Sequence, residues 1–145
     1  MKTRVSDILK KKGSEIFSVT PKTTVFDAIQ LMATHKIGAV LVMVEDRIVG
    51  VFTERDYMNK IILAGLTSKE TKVKDVMTSK VVFITSDSMV EEGLAVMTEK
   101  KCRHLPVLDN KKLIGVVSMG DLVKQVIKDQ KIAIESLTEY ISLSY

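Results

Sequence analysis

Cysteine is nearly missing from this chain. The single thiol, Cys102, excludes an internal disulfide and fits a reducing compartment. Tryptophan is absent and aromatics make up 5% of residues, so a 46% hydrophobic composition must build its core from Val, Ile, Leu and Met. No apolar run approaches the roughly 20 residues of a membrane-spanning helix. The N-terminus, Met1 to Lys12, is basic but lacks the apolar stretch of a secretory signal. A cytoplasmic protein is expected, and 145 residues suffice for one compact domain with a real core.

Clustered charge is scarce as well. The net charge of +4 is spread over the chain, and Lys10 to Lys12 form the one run of three. Without aromatics interleaved in a basic patch, the pattern argues against nucleic acid and suits an anionic small ligand. Signature catalytic spacings are also lacking: there is no Gly-x-x-x-x-Gly-Lys loop, no His-Glu-x-x-His and no Cys-x-x-Cys. The acidic pairs are surface doublets such as Glu91-Glu92. Cys102 lacks the Cys and His company of a metal or nucleophile site. His35 sits at a helix end, where positive charge is comfortable, and the methionines lie at core spacing. No catalytic residue and no metal ligand is assigned.

What the chain does have is a repeat. Val19 to Asp56, shifted by 65 positions, lands on Ile84 to Asp121 without a gap. Thr20, Val25, Met32, Lys36, Val42, Gly50, Val51 and Asp56 fall on identical residues, and most other apolar positions fall on apolar ones. That is the mark of a duplicated structural unit. A related segment precedes each copy, Val5-Ser6-Asp7-Ile8-Leu9 and Val73-Lys74-Asp75-Val76-Met77, at a spacing of 68. The first copy therefore carries a longer loop around Gly13-Ser14.

Within the first copy, Ile16 to Thr20 reads as a strand ended by Pro21. Val25, Ala28, Ile29 and Met32 mark one face of a helix broken at Gly38. Ala39 to Val44 and Arg47 to Phe52 form a hairpin around Glu45-Asp46, and a helix runs from Thr53 to about Leu63. In the second copy Val81 to Thr85 is the first strand, and Val90, Leu94 and Met97 mark the helix. Leu105 to Leu108 and Leu113 to Val117 flank Asp109-Asn110, and the closing helix runs from Asp121 to about Ile127. The expected fold is α+β, two β-α-β-β-α repeats packed about a pseudo-two-fold axis. The boundaries are 1–64 for the first repeat with its N-terminal segment, 65–72 for a linker, 73–129 for the second repeat and 130–145 for a tail ending in a helix.

Both copies close on a hydroxyl and an acid three residues apart, Thr53-x-x-Asp56 and Ser118-x-x-Asp121. At a strand-to-helix junction this is an N-cap pattern. The same geometry can serve a ligand. A helix start offers unpaired N–H groups and the positive dipole end, which suit a phosphate. The hydroxyl can donate to that phosphate, and the acid can accept from vicinal ribose hydroxyls. Arg55 adds a two-pronged donor beside the first pair. Gly120 stands in its place in the second, so the two pairs are not equivalent.

The doubled unit, the Gly-x-x-Thr/Ser-x-x-Asp endings, Asp75-Val76-Met77-Thr78 and Arg103-His104-Leu105-Pro106-Val107 together resemble a tandem CBS-domain pair, the Bateman module. The likeness runs from Val5 to about Ile127. It implies regulatory binding of adenosyl ligands (AMP, ADP, ATP, NAD or S-adenosylmethionine) between the repeats, and pairing of modules into a disc-shaped homodimer. Carried over by resemblance, one site joins Thr53, Arg55 and Asp56 to Met77, Val82 and Phe83, with Arg103 near the phosphate. The other joins Ser118 and Asp121 to Ile16, Phe17, Ile37 and Ala39, with His104 close by. Apolar side chains would sandwich the adenine, and Asp56 or Asp121 would hold the ribose.

Helix faces carrying Val25, Ile29 and Met32, or Val90, Leu94 and Met97, are expected to be only partly covered by their own chain. That again favours a homodimer, acting on an effector protein that the sequence does not name. Two rival readings stay open: a ligand-free interaction module, and a small hydrolytic enzyme using Arg103, His104 and Asp121.

Overall fold

The computed structural model describes residues 3–13 and 15–130. Ser14 of the expected longer loop, and the expected tail beyond Gln130, lie outside the described residues. Contacts divide the chain into two compact units, Ile16–Val81 and the N-terminal segment through Glu15 together with the chain from Val82 onward. These units differ from the repeat boundaries expected from sequence: each repeat body is completed by the leading segment of the other copy.

In the unit Ile16–Val81, the strand expected over Ile16 to Thr20 shrinks to β1, Ser18–Val19, parallel to β2, Ala39–Val44. The unbroken Val-rich run of β2 pairs antiparallel with β3, Arg47–Thr53, through a turn at Glu45 with φ 57°. Between β1 and β2 lies α2, Val25–His35, capped by Thr24, whose hydroxyl accepts from the Asp27 amide at 3.2 Å. The helix ends at Lys36 in the left-handed region, φ 54°, with its amide turned back to Met32 and Ala33 carbonyls. Termination therefore comes two residues before Gly38, by a cap that satisfies the last carbonyls. After β3 the expected single helix has two parts, α3 (Glu54–Tyr57) and a π-helical turn, Met58–Ile62.

The segment Val73–Asp75 then forms a 3-10 turn, and Thr78 joins β3 by a two-way backbone bridge to Val51, both bonds 2.9 Å. Val73 and Val76 enter the core beside Val25, Ala28, Met32, Val40, Val42, Phe52 and Ile61. Gly50 makes this docking possible. A Cβ there would stand 2.5 Å from the Met77 sulfur and 3.1 Å from the Thr78 carbonyl oxygen.

The other unit follows the same plan. It contains α1 (Val5–Lys12), α4 (Val90–Lys100), β4 (His104–Asp109), β5 (Lys112–Ser118) and α5 (Met119–Asp129). The strand expected over Val81 to Thr85 is reduced to one parallel bridge between Ile84 and Val107. Its apolar composition buries Ile84, but the backbone pairs with β4 only there, through Ile84 N–H to Pro106 and Leu108 N–H to Ile84. Val5 and Ile8 of α1 fill the core with Ile84, Val90, Met97, Leu105, Val107, Val117 and Leu122. Leu9 occupies the space a Cβ of Gly115 would need, at 2.7 Å. Even the irregularities repeat, with register shifts at Val42/Met43 and Val107/Leu108.

Mixed helices and small sheets make the fold α+β, as expected. One premise needs correction. Val25 and Met32, like Val90 and Met97, are buried inside their own units. Ile29 and Leu94 are partly buried, and the exposed apolar side chains are Phe26 on α2, Val44 on β2, Met58, Ile62, Leu63 and Leu66 after β3, Phe83, and Val123 and Ile127 on α5.

Candidate functional site

Each hairpin ends on the hydroxyl residue that starts the next helix, so the fold sets an acid at the same place twice. At the first, the Thr53 hydroxyl accepts from the Asp56 amide at 3.1 Å, and the Thr53 amide donates back to the Asp56 carboxylate at 3.0 Å. This reciprocal capping box satisfies two donors at once. The Thr53 hydroxyl itself lies 3.1 Å from Asp56 Oδ2. The Thr78 hydroxyl donates to the same carboxylate at 3.1 and 3.3 Å, and the Lys60 ammonium lies 3.1 Å from Oδ1. Lys60 also reaches the Val76 carbonyl at 3.0 Å. Asp56 is buried, with a side chain 7% exposed, and such a charge is tolerable only because it is paired and hydrogen-bonded.

The second acid is set by the same cap: the Ser118 hydroxyl accepts from the Asp121 amide at 3.1 Å, and the Ser118 amide donates to Asp121 at 2.9 Å. Its cation comes from a distant segment. Lys12, at the end of α1, lies 2.7 Å from Asp121 Oδ2 and 3.0 Å from the Val116 carbonyl. Partial burial pushes the Asp121 carboxyl up, but Lys12 and Ser118 together outweigh it and hold the carboxyl below its ordinary value. With a side chain 27% exposed, Asp121 is the more open acid.

The expected site residues divide between the units. Thr53, Arg55, Asp56 and Met77 share the unit Ile16–Val81 with Ile16, Phe17, Ile37 and Ala39. Ala39 lies opposite Thr53 in the hairpin, and the Gly38 carbonyl accepts from the Glu54 amide at 3.0 Å. The Phe17 ring, expected to face an adenine, stacks on His35 with centroids 3.9 Å apart. Arg55 is exposed.

Val82, Phe83, Arg103, His104, Ser118 and Asp121 belong to the other unit. There His104 lies opposite Ser118, and the Arg103 carbonyl accepts from the Met119 amide at 2.8 Å. Within the units, therefore, Ile37 to Ala39 neighbour Thr53, and Arg103-His104 neighbour Ser118.

Three residues that hold the acids were absent from the expected sets. Lys60 was discoverable, because it stands one helical turn after Asp56. Thr78 ends the Asp75-Val76-Met77-Thr78 motif. Lys12 carries no local signal. Among the described residues, no group of three or more His, Cys, Asp or Glu is placed to hold a metal ion. No helix among them is long and apolar enough to cross a membrane.

Comparison with known proteins agrees with this architecture. The CBS-domain family profile matches residues 5–63 and 73–128. An Arabidopsis thaliana protein, "CBS domain-containing protein CBSX3, mitochondrial", is 37% identical over 152 residues, covering 99% of this chain and 74% of that protein. Two longer relatives are spanned by this chain over 24% and 23% of their length. The structure of a Burkholderia ambifaria protein with CBS domains superposes with a TM-score of 0.85 at 50% identity, covering 88% of this chain and 96% of that one. A hexameric CBS-CP12 protein from bloom-forming cyanobacteria shares the fold, with a TM-score of 0.76 at 23% identity over 97% of this chain and 88% of that one. The chain belongs to the CBS-domain family, generally regulatory and ligand-binding, and carries the domain twice.

Proposed function

We propose that this chain is a regulatory module that binds adenine nucleotides, AMP, ATP or NAD, and modulates an effector protein according to energy or cofactor state. The observation that carries the reading is the pair of carboxylates, Asp56 and Asp121. Each is fixed at a helix start by a hydroxyl residue and accompanied by a lysine. A carboxylate can accept from both hydroxyls of a ribose, while the lysine and the helix start favour a phosphate. Arg103 and Arg55, both exposed, are further phosphate donors in this reading.

Affinities in the micromolar to low millimolar range, about −8 to −4 kcal/mol, are expected. Calorimetry with AMP, ATP, NAD and S-adenosylmethionine tests the proposal. Absence of heat from all of them at millimolar concentration overturns it. Arg55→Ala should weaken AMP and leave adenosine nearly unchanged.

One observation favours a second reading. Both acids already have internal hydrogen-bond and ion-pair partners, as a ligand-free interaction module would require. Thermal melts separate the two: a ligand at about 100 times its dissociation constant adds roughly 2.7 kcal/mol to stability, whereas the ligand-free module melts unchanged. The hydrolytic alternative is disfavoured because the CBS-domain family to which the chain belongs is generally regulatory.

Homodimerisation stays within this proposal, on a different face from the one expected. Met58 and Ile62 in one repeat, and Val123 and Ile127 at the equivalent places in the other, expose apolar surface that two-fold pairing would cover. Light scattering on the wild type and on a double Ile62→Glu, Ile127→Glu variant should show a dimer converted to a monomer. A monomeric wild type removes that part of the reading. The single thiol keeps a reducing, cytoplasmic compartment in the proposal.

A further inference from the structure

The lysines beside the two acids differ in origin, and this difference points to a selectivity device. Lys60 stands on the same helical segment as Asp56 and is also held by the Val76 carbonyl. Lys12 comes from α1, more than a hundred residues away in sequence, and its exposed side chain donates to Asp121 and to the Val116 carbonyl. The body of α1 is fixed, because Val5 and Ile8 are buried and Leu9 lies against Gly115. The ammonium ends a flexible four-carbon stem, so it can change partner by rotamer while the helix stays in place.

We propose that Lys12 selects phosphorylated ligands at Asp121, a step that rests on the nucleotide-binding reading above. Lys12 pairs with Oδ2 of the carboxylate that a ribose would use. A neutral nucleoside must break this ion pair and leave the ammonium without an anion. A nucleotide brings its own anion: the phosphate takes over Lys12 and frees Asp121 for the ribose hydroxyls. The cation thus opposes adenosine and favours AMP at one and the same position. At Asp56 the carboxylate is itself buried and also bonded to Thr78, so this exchange belongs to the more open Asp121 site.

The experiment is a titration followed by the backbone amide resonances of Ser118, Met119 and Asp121, with AMP and adenosine as probes. Wild type, Lys12→Ala, Lys12→Gln and Lys12→Arg are compared, and a thermal melt checks the fold of each. Wild type should prefer AMP over adenosine by about tenfold or more at these resonances, in line with a charge-assisted contact. Both uncharged variants should bind adenosine as well as or better than wild type and AMP more weakly, bringing the preference to within about threefold. Lys12→Arg should restore the preference, since it keeps the charge.

Equal weakening of both probes in Lys12→Ala and Lys12→Gln would make Lys12 a structural residue and overturn the inference, as would an unchanged ratio. A wild type silent to AMP is a different result. It removes the nucleotide-binding reading itself, and the selectivity with it.

Discussion

Asp56 and Asp121 occupy the same place in two copies of one unit, yet they live in different surroundings. Asp56 is buried, bonded to Thr53 and Thr78, and paired with a lysine one turn along its own helix. Asp121 is more open, bonded to Ser118, and paired with a lysine from the opposite end of the chain. Duplication preserved the capping box and let the cation change its source. The lesson is that the acid is set by local chemistry and its electrostatic partner by tertiary packing. The first is therefore more robust to sequence change than the second.

The largest test breaks the packing side of this comparison. Ile8 is buried in the core built on β4 and β5, although it precedes the first repeat in sequence. Ile8→Ala should cost about 2–4 kcal/mol. Hydrogen exchange should show the loss of protection concentrated in β4, β5 and α4, with β2 and β3 less affected. Loss concentrated in β2 and β3 would contradict the exchange of leading segments.

Much of this was readable in advance, for physical reasons. The run Ala39 to Val44 has no polar interruption and becomes β2 as expected. Thr53-x-x-Asp56 and Ser118-x-x-Asp121 are capping patterns over three residues, and both form. Val81 to Thr85 looked like a strand because composition reports burial, but pairing needs a partner backbone, and only Ile84 finds one. Similarly, the resemblance between Val5–Leu9 and Val73–Met77 could not say which repeat each segment packs on. That choice is made by Leu9 against Gly115 and Met77 against Gly50, contacts with no local signature. Lys12 beside Asp121 follows from the same choice.

A second test sharpens the contrast between the acids. Asp56→Asn places an amide donor among the Thr53 amide, the Thr53 and Thr78 hydroxyls and the Lys60 ammonium, and leaves that cation without its charge partner. Without ligand it should cost about 1–3 kcal/mol, the penalty for an unsatisfied buried group. Asp121→Asn, at a more exposed cap, should cost about 1 kcal/mol or less. In the nucleotide-binding reading each change also lowers AMP affinity at its own site by about ten- to a hundredfold. Equal stability losses in chemical denaturation would erase the proposed difference. A stability loss with AMP affinity unchanged would leave both motifs as caps alone.

The smallest expected effect isolates the Lys12–Asp121 pair through pH. Lys12 and Ser118 hold the Asp121 carboxyl below its ordinary value of 3.8 in the folded chain. A carboxyl depressed by folding contributes stability above its unfolded value, and that contribution is lost as pH falls through the folded value. Lys12→Ala removes the cation and lets the Asp121 carboxyl rise toward the ordinary range. The variant should therefore be less stable than wild type from neutral pH down to about pH 5, by roughly 0.2–1 kcal/mol for so exposed a pair. Once the pH falls below the depressed folded value of Asp121 the two melting curves should converge, because the carboxyl is then largely protonated in both. Salt should shrink the neutral-pH difference, since the pair is partly open to solvent. Melting temperatures of both proteins across this range, at low and high salt, make the measurement. A difference that persists unchanged into acid would mean that Lys12 acts by packing its stem and not by its charge. The contrast with Asp56 would then rest on burial alone.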